Sequence, residues 1–225
     1  MPCLTIREGN VVVEGPEGGF SLARDREGKL FDILDVSDQL AEKYGRLYLV
    51  DLDGRERDQP QLDYLQEISR NAEVWVDSGV RTSDQAIDVV VAGAFRTVLS
   101  TAQLRAEGEL DQAWKLSPEI AFEVAMGPAG VVAASPEYAG RSPASLVQTA
   151  RAVGVRDVIY SPRGTRVDWS LAHLLAEGGP LWIDGSFGYD ELEQLRNSGA
   201  IGGIFSIEEE LGGASIGRST SAGGH

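Results

Sequence analysis

The chain has 225 residues, 42% of them apolar and 24% charged, and a formal net charge of −15. This balance marks a folded globular chain, and its negative field disfavours nucleic acid as a partner. No apolar run reaches the ~18–20 residues of a membrane span, no basic-then-apolar leader opens the chain, and a single cysteine, Cys3, rules out an internal disulfide or a multi-cysteine metal site, so a cytoplasmic protein with no membrane contact is expected.

The predicted elements alternate. A strand over 3–6 (CLTI) is followed by a helix over 32–45 and a strand over 47–52 (LYLVDL). Next come a helix over 61–72, a strand over 73–77 (EVWVD), a helix over 82–94 and a strand over 96–100 (RTVLS). The second part reads strand 120–124, helix 142–154, strand 157–161, helix 168–179, strand 180–184, helix 189–200 and strand 202–206. The strands are short, apolar and rich in β-branched or aromatic residues. Several helices start after Ser, Thr or Asp and stop at Gly, as capping predicts.

Eight strands with intervening crossovers predict an α/β chain whose parallel sheet closes into a (β/α)8 TIM barrel. An open doubly wound sheet would show a Gly-rich fingerprint after its first strand, and CLTIREGN has none. One barrel is expected over residues 1–211, with a Gly/Ser-rich tail over 212–225. After the last strand, IEEEL reads as one helical turn, and the remainder does not suit an outer helix, so the last helix is expected to be short or absent. Either the segment DREGKLFDIL covers the strand-eight edge, or a partner chain does, in a homo- or hetero-oligomer.

One phrase occurs twice. VWVDSGVRT at 74–82 matches LWIDGSFGY at 181–189, with Trp75 against Trp182 and Asp77 against Asp184. Further on, Gly93-Ala94 matches Gly199-Ala200, and Ser100 matches Ser206. Each unit reads strand, turn, helix, Gly-Ala, strand, the spacing of a barrel built from two similar halves.

On LYLVDLDG (47–54), VDSGVRTSDQAIDVVVAGAFRTVLST (76–101) and IDGSFGYDELEQLRNSGAIGGIFS (183–206), the chain resembles the HisA/HisF half-barrel family of histidine biosynthesis. It looks closest to a HisA/HisF-related side group associated with one-carbon metabolism. The resemblance implies a phosphorylated substrate held across the C-terminal rim, with a phosphate site after strands three and four and another after seven and eight. It also implies acid–base aspartates on strands one and five. This chain has Thr5 and Ala125 there, and SPRGT (161–165) where the family has Asp-Gly-Thr. Alanine moves no proton, and threonine does so only beside a strong activating group. The classical isomerisation of a phosphoribosyl-formimino ribotide is therefore expected to be lost.

The candidate residues lie at the strand ends. Asp51, Asp77 and Asp184 are the proposed catalytic carboxylates, with Asp77 and Asp184 as a recruited acid–base pair. Asp51 and Asp53 stand two apart on one strand, which places both on one face; helix or turn capping is the competing reading. Ser78, Gly79, Arg81, Ser100 and Thr101 form the expected anion site of the first half. Gly185, Ser186 and Ser206 are its counterparts in the second half, where Glu208, Glu209 and Glu210 would repel a dianion. The direction of Glu123 is open, and Arg163 is either an anion ligand or a solvated loop residue. No metal site, cofactor, Ser-His-Asp arrangement or Walker loop is expected. An enzyme acting on a phosphorylated metabolite and a non-catalytic barrel subunit are the competing functions, with the classical ribotide isomerase that the resemblance implies as the third.

Overall fold

The computed structural model describes residues 1–15, 19–185, 187, 189–207 and 211. Strand β1 (Pro2–Arg7) leads through a tight turn into the hairpin β2 (Asn10–Glu14) and β3 (Phe20–Leu22). Then follow α1 (Ile33–Tyr44), β4 (Arg46–Asp51), α2 (Leu52–Arg57), α3 (Leu62–Ile68), β5 (Glu73–Asp77), α4 (Ser83–Val91) and β6 (Arg96–Ser100). The second half contains α5 (Gly108–Leu116), β7 (Ile120–Gly127), β8 (Gly130–Val131), α6 (Pro143–Val153) and β9 (Asp157–Pro162). It ends with α7 (Trp169–Ala176), β10 (Leu181–Asp184), α8 (Tyr189–Asn197) and β11 (Gly202–Ser206).

Eight strands pair in parallel in the order β1, β4, β5, β6, β7, β9, β10, β11, and β11 returns to β1. The sheet is thus a closed (β/α)8 barrel. The eight expected strands are these eight. Of the segment read as one helical turn after the last strand, Ile207 and Leu211 are described, with the Leu211 N–H donating to the Ile207 carbonyl at 2.9 Å, and the tail over 212–225 lies outside the described residues. Among the described residues, no helix is long and apolar enough to cross a membrane.

Strand alternation divides the apolar residues into two cores. Outward residues such as Leu47, Leu49, Val74, Val76, Phe122, Val124 and Ile183 pack under the helices. Inward residues Tyr48, Val50, Trp75, Val98, Ala121, Ile159, Trp182 and Ile204 fill the barrel. The two tryptophans of the repeated phrase meet there edge to face, with ring centroids 5.2 Å apart and planes at 63°, a geometry favoured by the aromatic quadrupole.

The helices begin where side chains satisfy their first N–H groups. Asp32 caps α1, Thr82 caps α4, Ser142 caps α6 and Asp168 caps α7. Two helices lack a predicted counterpart. Helix α5 starts at Glu107 without a side-chain cap, so the usual start signal is missing. Helix α2 begins inside the segment read as strand 47–52, because the Asp51 carboxylate accepts hydrogen bonds from the N–H groups of Asp53 and Gly54.

Two features shape the mouth. At the seam, β1 pairs with β11 only at Pro2 and Cys3, while Thr5, Ile6 and Arg7 pair with β2. The hairpin therefore takes over the seam on the C-terminal side. On the other flank of β1, α2 follows β4, bonds to the end of β1 and the β1–β2 turn through Glu56 and Asp53, and lies against the turn after β5. Gly79 adopts φ +70°, and a Cβ there would stand 2.4 Å from the Arg55 Cα. Gly79→Ala is therefore expected to lower stability by roughly 2 kcal/mol or more, measured by urea unfolding; an unchanged midpoint would show that the α2 contact is not tight.

Candidate functional site

The inward residues of the strands change character toward the C-terminal end. Trp75 is followed by Asp77, Ala121 by Glu123, Ile159 by Ser161 and Trp182 by Asp184, each two residues on and so on the same face. An apolar floor thus carries a polar upper layer. Above it opens a cavity of about 710 Å³, lined by Tyr48, Arg55, Asp77, Glu123, Arg163 and Asp184 among others.

Glu123 and Arg163 form the tightest pair. Arg163 Nη2 donates to both carboxylate oxygens, at 3.0 and 2.8 Å. Burial pushes the Glu123 carboxyl up, but Arg163 and Arg55 outweigh it and hold the group below the usual carboxylate range. The same guanidinium stands 3.9 Å from Asp77 and 3.5 Å from the Ser100 hydroxyl.

Asp77 is 2% exposed and has two weaker cationic neighbours, with Arg55 Nε at 3.6 Å. The Gly79 N–H donates to its other oxygen at 3.2 Å. Burial pushes this carboxyl above its ordinary value; Arg55 and Arg163 oppose that, and the charge of Glu123 adds to it. Arg55 stays charged, because Asp77 and Glu123 outweigh its desolvation.

Asp184 differs from both. Its Oδ2 accepts the Ser161 hydroxyl at 2.8 Å, and no cation among the described residues comes within ion-pair distance. Burial raises its carboxyl to about 6, with Ser161 opposing and Glu123 adding. Cys3 also lines the cavity, but burial and then Asp184 push its thiol up to about 12. It is no thiolate nucleophile near neutral pH.

The expected site residues divide. Asp77 and Asp184 both face the cavity, as does Thr5. Asp51 and Asp53 do not line it. Asp51 faces the opposite way from inward Val50, and its oxygens accept from the N–H groups of Asp53, Gly54 and Gln61. Asp53 lies on α2, not on the strand, and accepts from the Glu8 N–H, Arg57 and Gln61. The shared-face expectation therefore fails: the chain turns helical at Leu52.

The first-half anion set is committed elsewhere. Arg81 donates to the carbonyls of Gly54, Arg55 and Gly79 and to the Asp58 carboxylate. Thr101 Oγ1 donates to Val132 O at 2.9 Å and accepts the Ala125 N–H at 3.1 Å. Ser78 is buried, and Gly79 is pressed against Arg55. Ser100 Oγ accepts from the Ala102 N–H. None of these five residues lines the cavity. Of the second-half set, Gly185 and Ser206 do, together with Gly164, Thr165 and Arg166, while Ser186 and Glu208 to Glu210 lie outside the described residues.

The structure adds Tyr48, Arg55 and Ser161, turns Glu123 inward and makes Arg163 its ion-pair partner. Glu123 had a usable signal. It stands two residues before Ala125 on one strand, so a residue matched to an inward aspartate implies an inward Glu123. Arg55 had none, since α2 was read as part of a strand and turn. Among the described residues, no group of three or more His, Cys, Asp or Glu side chains is placed to hold a metal.

Fold and cavity together define a (β/α)8 barrel with a polar site at the C-terminal ends of its strands, where such barrels carry active sites. The chain belongs to the histidine biosynthesis protein family, whose model matches residues 1–162. No curated protein matches it at a significant level.

Asp184 yields a signed stability test. Its folded-state carboxyl is raised from the ordinary 3.8 to about 6, so the folded state holds the proton more tightly than the unfolded one. Its contribution to stability is then lost as pH rises from about 4 to about 6. Asp184→Asn is expected to stabilise the protein at pH 7 by on the order of 2 kcal/mol and to lose that advantage near pH 4. Equal destabilisation at both pH values would refute the assignment.

Proposed function

We infer that this chain is an enzyme that moves protons on a small polar metabolite bound at the C-terminal rim. The reading rests on one observation: Asp77, Glu123 and Asp184 surround a single cavity in different charge environments. Different environments separate acid from base. Glu123, held ionised by Arg163, suits stabilisation of a developing positive centre. Asp184, raised to about 6, exchanges a proton near neutral pH, with Asp77 as its counterpart. An isomerisation or an elimination needs such a pair and no redox partner.

The reaction is not the ribotide isomerisation on this reading. Thr5 lines the cavity without a carboxylate, and Ala125 offers only its backbone, bonded to Thr101 and Val132. A substrate phosphate is best placed on the second-half rim. Gly164, Thr165, Arg166 and Gly185 face the cavity there, and Arg166 has no ion-pair partner among the described residues. The committed donors of Arg81 and Thr101 argue against a second phosphate. They also favour a second reading, a non-catalytic barrel subunit with a partner chain.

Two measurements separate these readings. Expression of this chain is expected to leave a strain lacking the ribotide isomerase unable to grow without histidine; rescue would restore the classical reaction. With the metabolite recovered from native protein as substrate, Asp77→Asn and Glu123→Gln are each expected to lower kcat by about 10²–10⁴-fold. Full activity in both variants sinks the acid–base reading, and a co-purifying partner with no turnover establishes the subunit.

A further inference from the structure

The upper layer of the barrel carries three carboxylates, Asp77, Glu123 and Asp184, against two guanidiniums, Arg55 and Arg163. Asp77 and Glu123 have those guanidiniums within 4 Å. Asp184 has only the Ser161 hydroxyl, on one of its two oxygens. Asp184 is half-buried at the cavity edge of β10, so its second oxygen is left open to a cation brought by a ligand.

A second residue points into the same space. Tyr48 is 3% exposed and lines the cavity. Its hydroxyl has no hydrogen-bond partner among the described residues. The hydroxyl oxygen is not sealed off by protein and opens to the cavity, where a ligand can meet it. Asp77, Glu123 and Asp184 all lie within electrostatic reach of this phenol. An unpartnered donor-acceptor and an unpaired carboxylate thus share one cavity, and neither depends on the other.

We propose that Asp184 and Tyr48 form a subsite for a protonated nitrogen of the ligand, in the form of a primary amine, an amidine or a protonated heterocycle. One N–H donates to the free Asp184 oxygen and another to the Tyr48 oxygen. Ser161 holds the carboxylate in place from the other side. The added positive charge balances three carboxylates with three cations. An anionic group at this depth would instead face all three carboxylates, because the two guanidiniums there are already engaged with Asp77 and Glu123. The subsite rests on the reading of this cavity as the ligand site, and it does not require catalysis.

The test compares three probes of equal size and different charge on the full chain: benzylamine, benzyl alcohol and benzoate, with inorganic phosphate as a fourth. Titration at pH 7 is expected to show benzylamine binding at least about tenfold more tightly than benzyl alcohol, with benzoate weaker than both. Asp184→Asn abolishes that preference, and Tyr48→Phe weakens benzylamine by roughly 3–10-fold while leaving benzyl alcohol unchanged. Where Asp184→Asn fails to fold, Ser161→Ala serves, with a weakened amine preference expected. Tighter binding of benzoate or phosphate, a preference that survives Asp184→Asn, or no benzylamine binding up to about 10 mM overturns the proposal. An intact amine preference with fully active Asp77→Asn sinks the acid–base reading alone. Lost preference with inactive Asp77→Asn sinks the subsite alone.

Discussion

A carboxylate sealed inside a barrel must find a positive partner or take up a proton. Glu123 meets this requirement through Arg163, and much of the site follows from that pair. The arginine comes from the turn after β9, two strand ends removed from β6 and one from β7, and it bends over the mouth to reach Glu123, Ser100 and Asp77. One side chain thereby joins the ends of β5, β6 and β7. Asp184, on the neighbouring side, is left with a hydroxyl alone. The unequal sharing of two guanidiniums among three carboxylates is the source of the site's chemical asymmetry.

The two sides of the rim differ for a steric reason. After β4 the chain coils at once into α2, and its backbone presses into the turn after β5. Arg81 then secures α2 through the Gly54 and Arg55 carbonyls and its C-cap Asp58, while also bonding the Gly79 carbonyl of its own turn. Donors that would suit an anion are used to hold the fold. One strand along from β4, β1 and β11 pair at two residues, and the hairpin of β2 and β3 stands beside the gap. The cavity therefore spreads toward β9, β10 and the seam.

Much of the architecture was legible in residue order. The eight strands announce themselves through short β-branched and aromatic runs, and Thr82, Ser142 and Asp168 announce helix starts. Helix α5 stayed hidden because Glu107 supplies no side-chain cap. Asp77 and Asp184 were legible as inward rim residues because one phrase carries both. The competing capping reading holds for Asp51, which caps α2; the shared-face reading of Asp51 and Asp53 fails, because a two-residue period applies only while the chain remains a strand.

Sequence by itself determined the barrel and its strand order, because periodicity, caps and residue identity are local properties. Only the tertiary structure decided which polar groups remain available. Arg81 and Thr101 look like anion ligands until long-range bonds to Arg55 and Val132 consume them. Glu123, Arg163 and Tyr48 gain their meaning from strands far apart in the chain. Hydrogen-bonding capacity is shared across the whole barrel mouth, so no local segment reveals how it is spent.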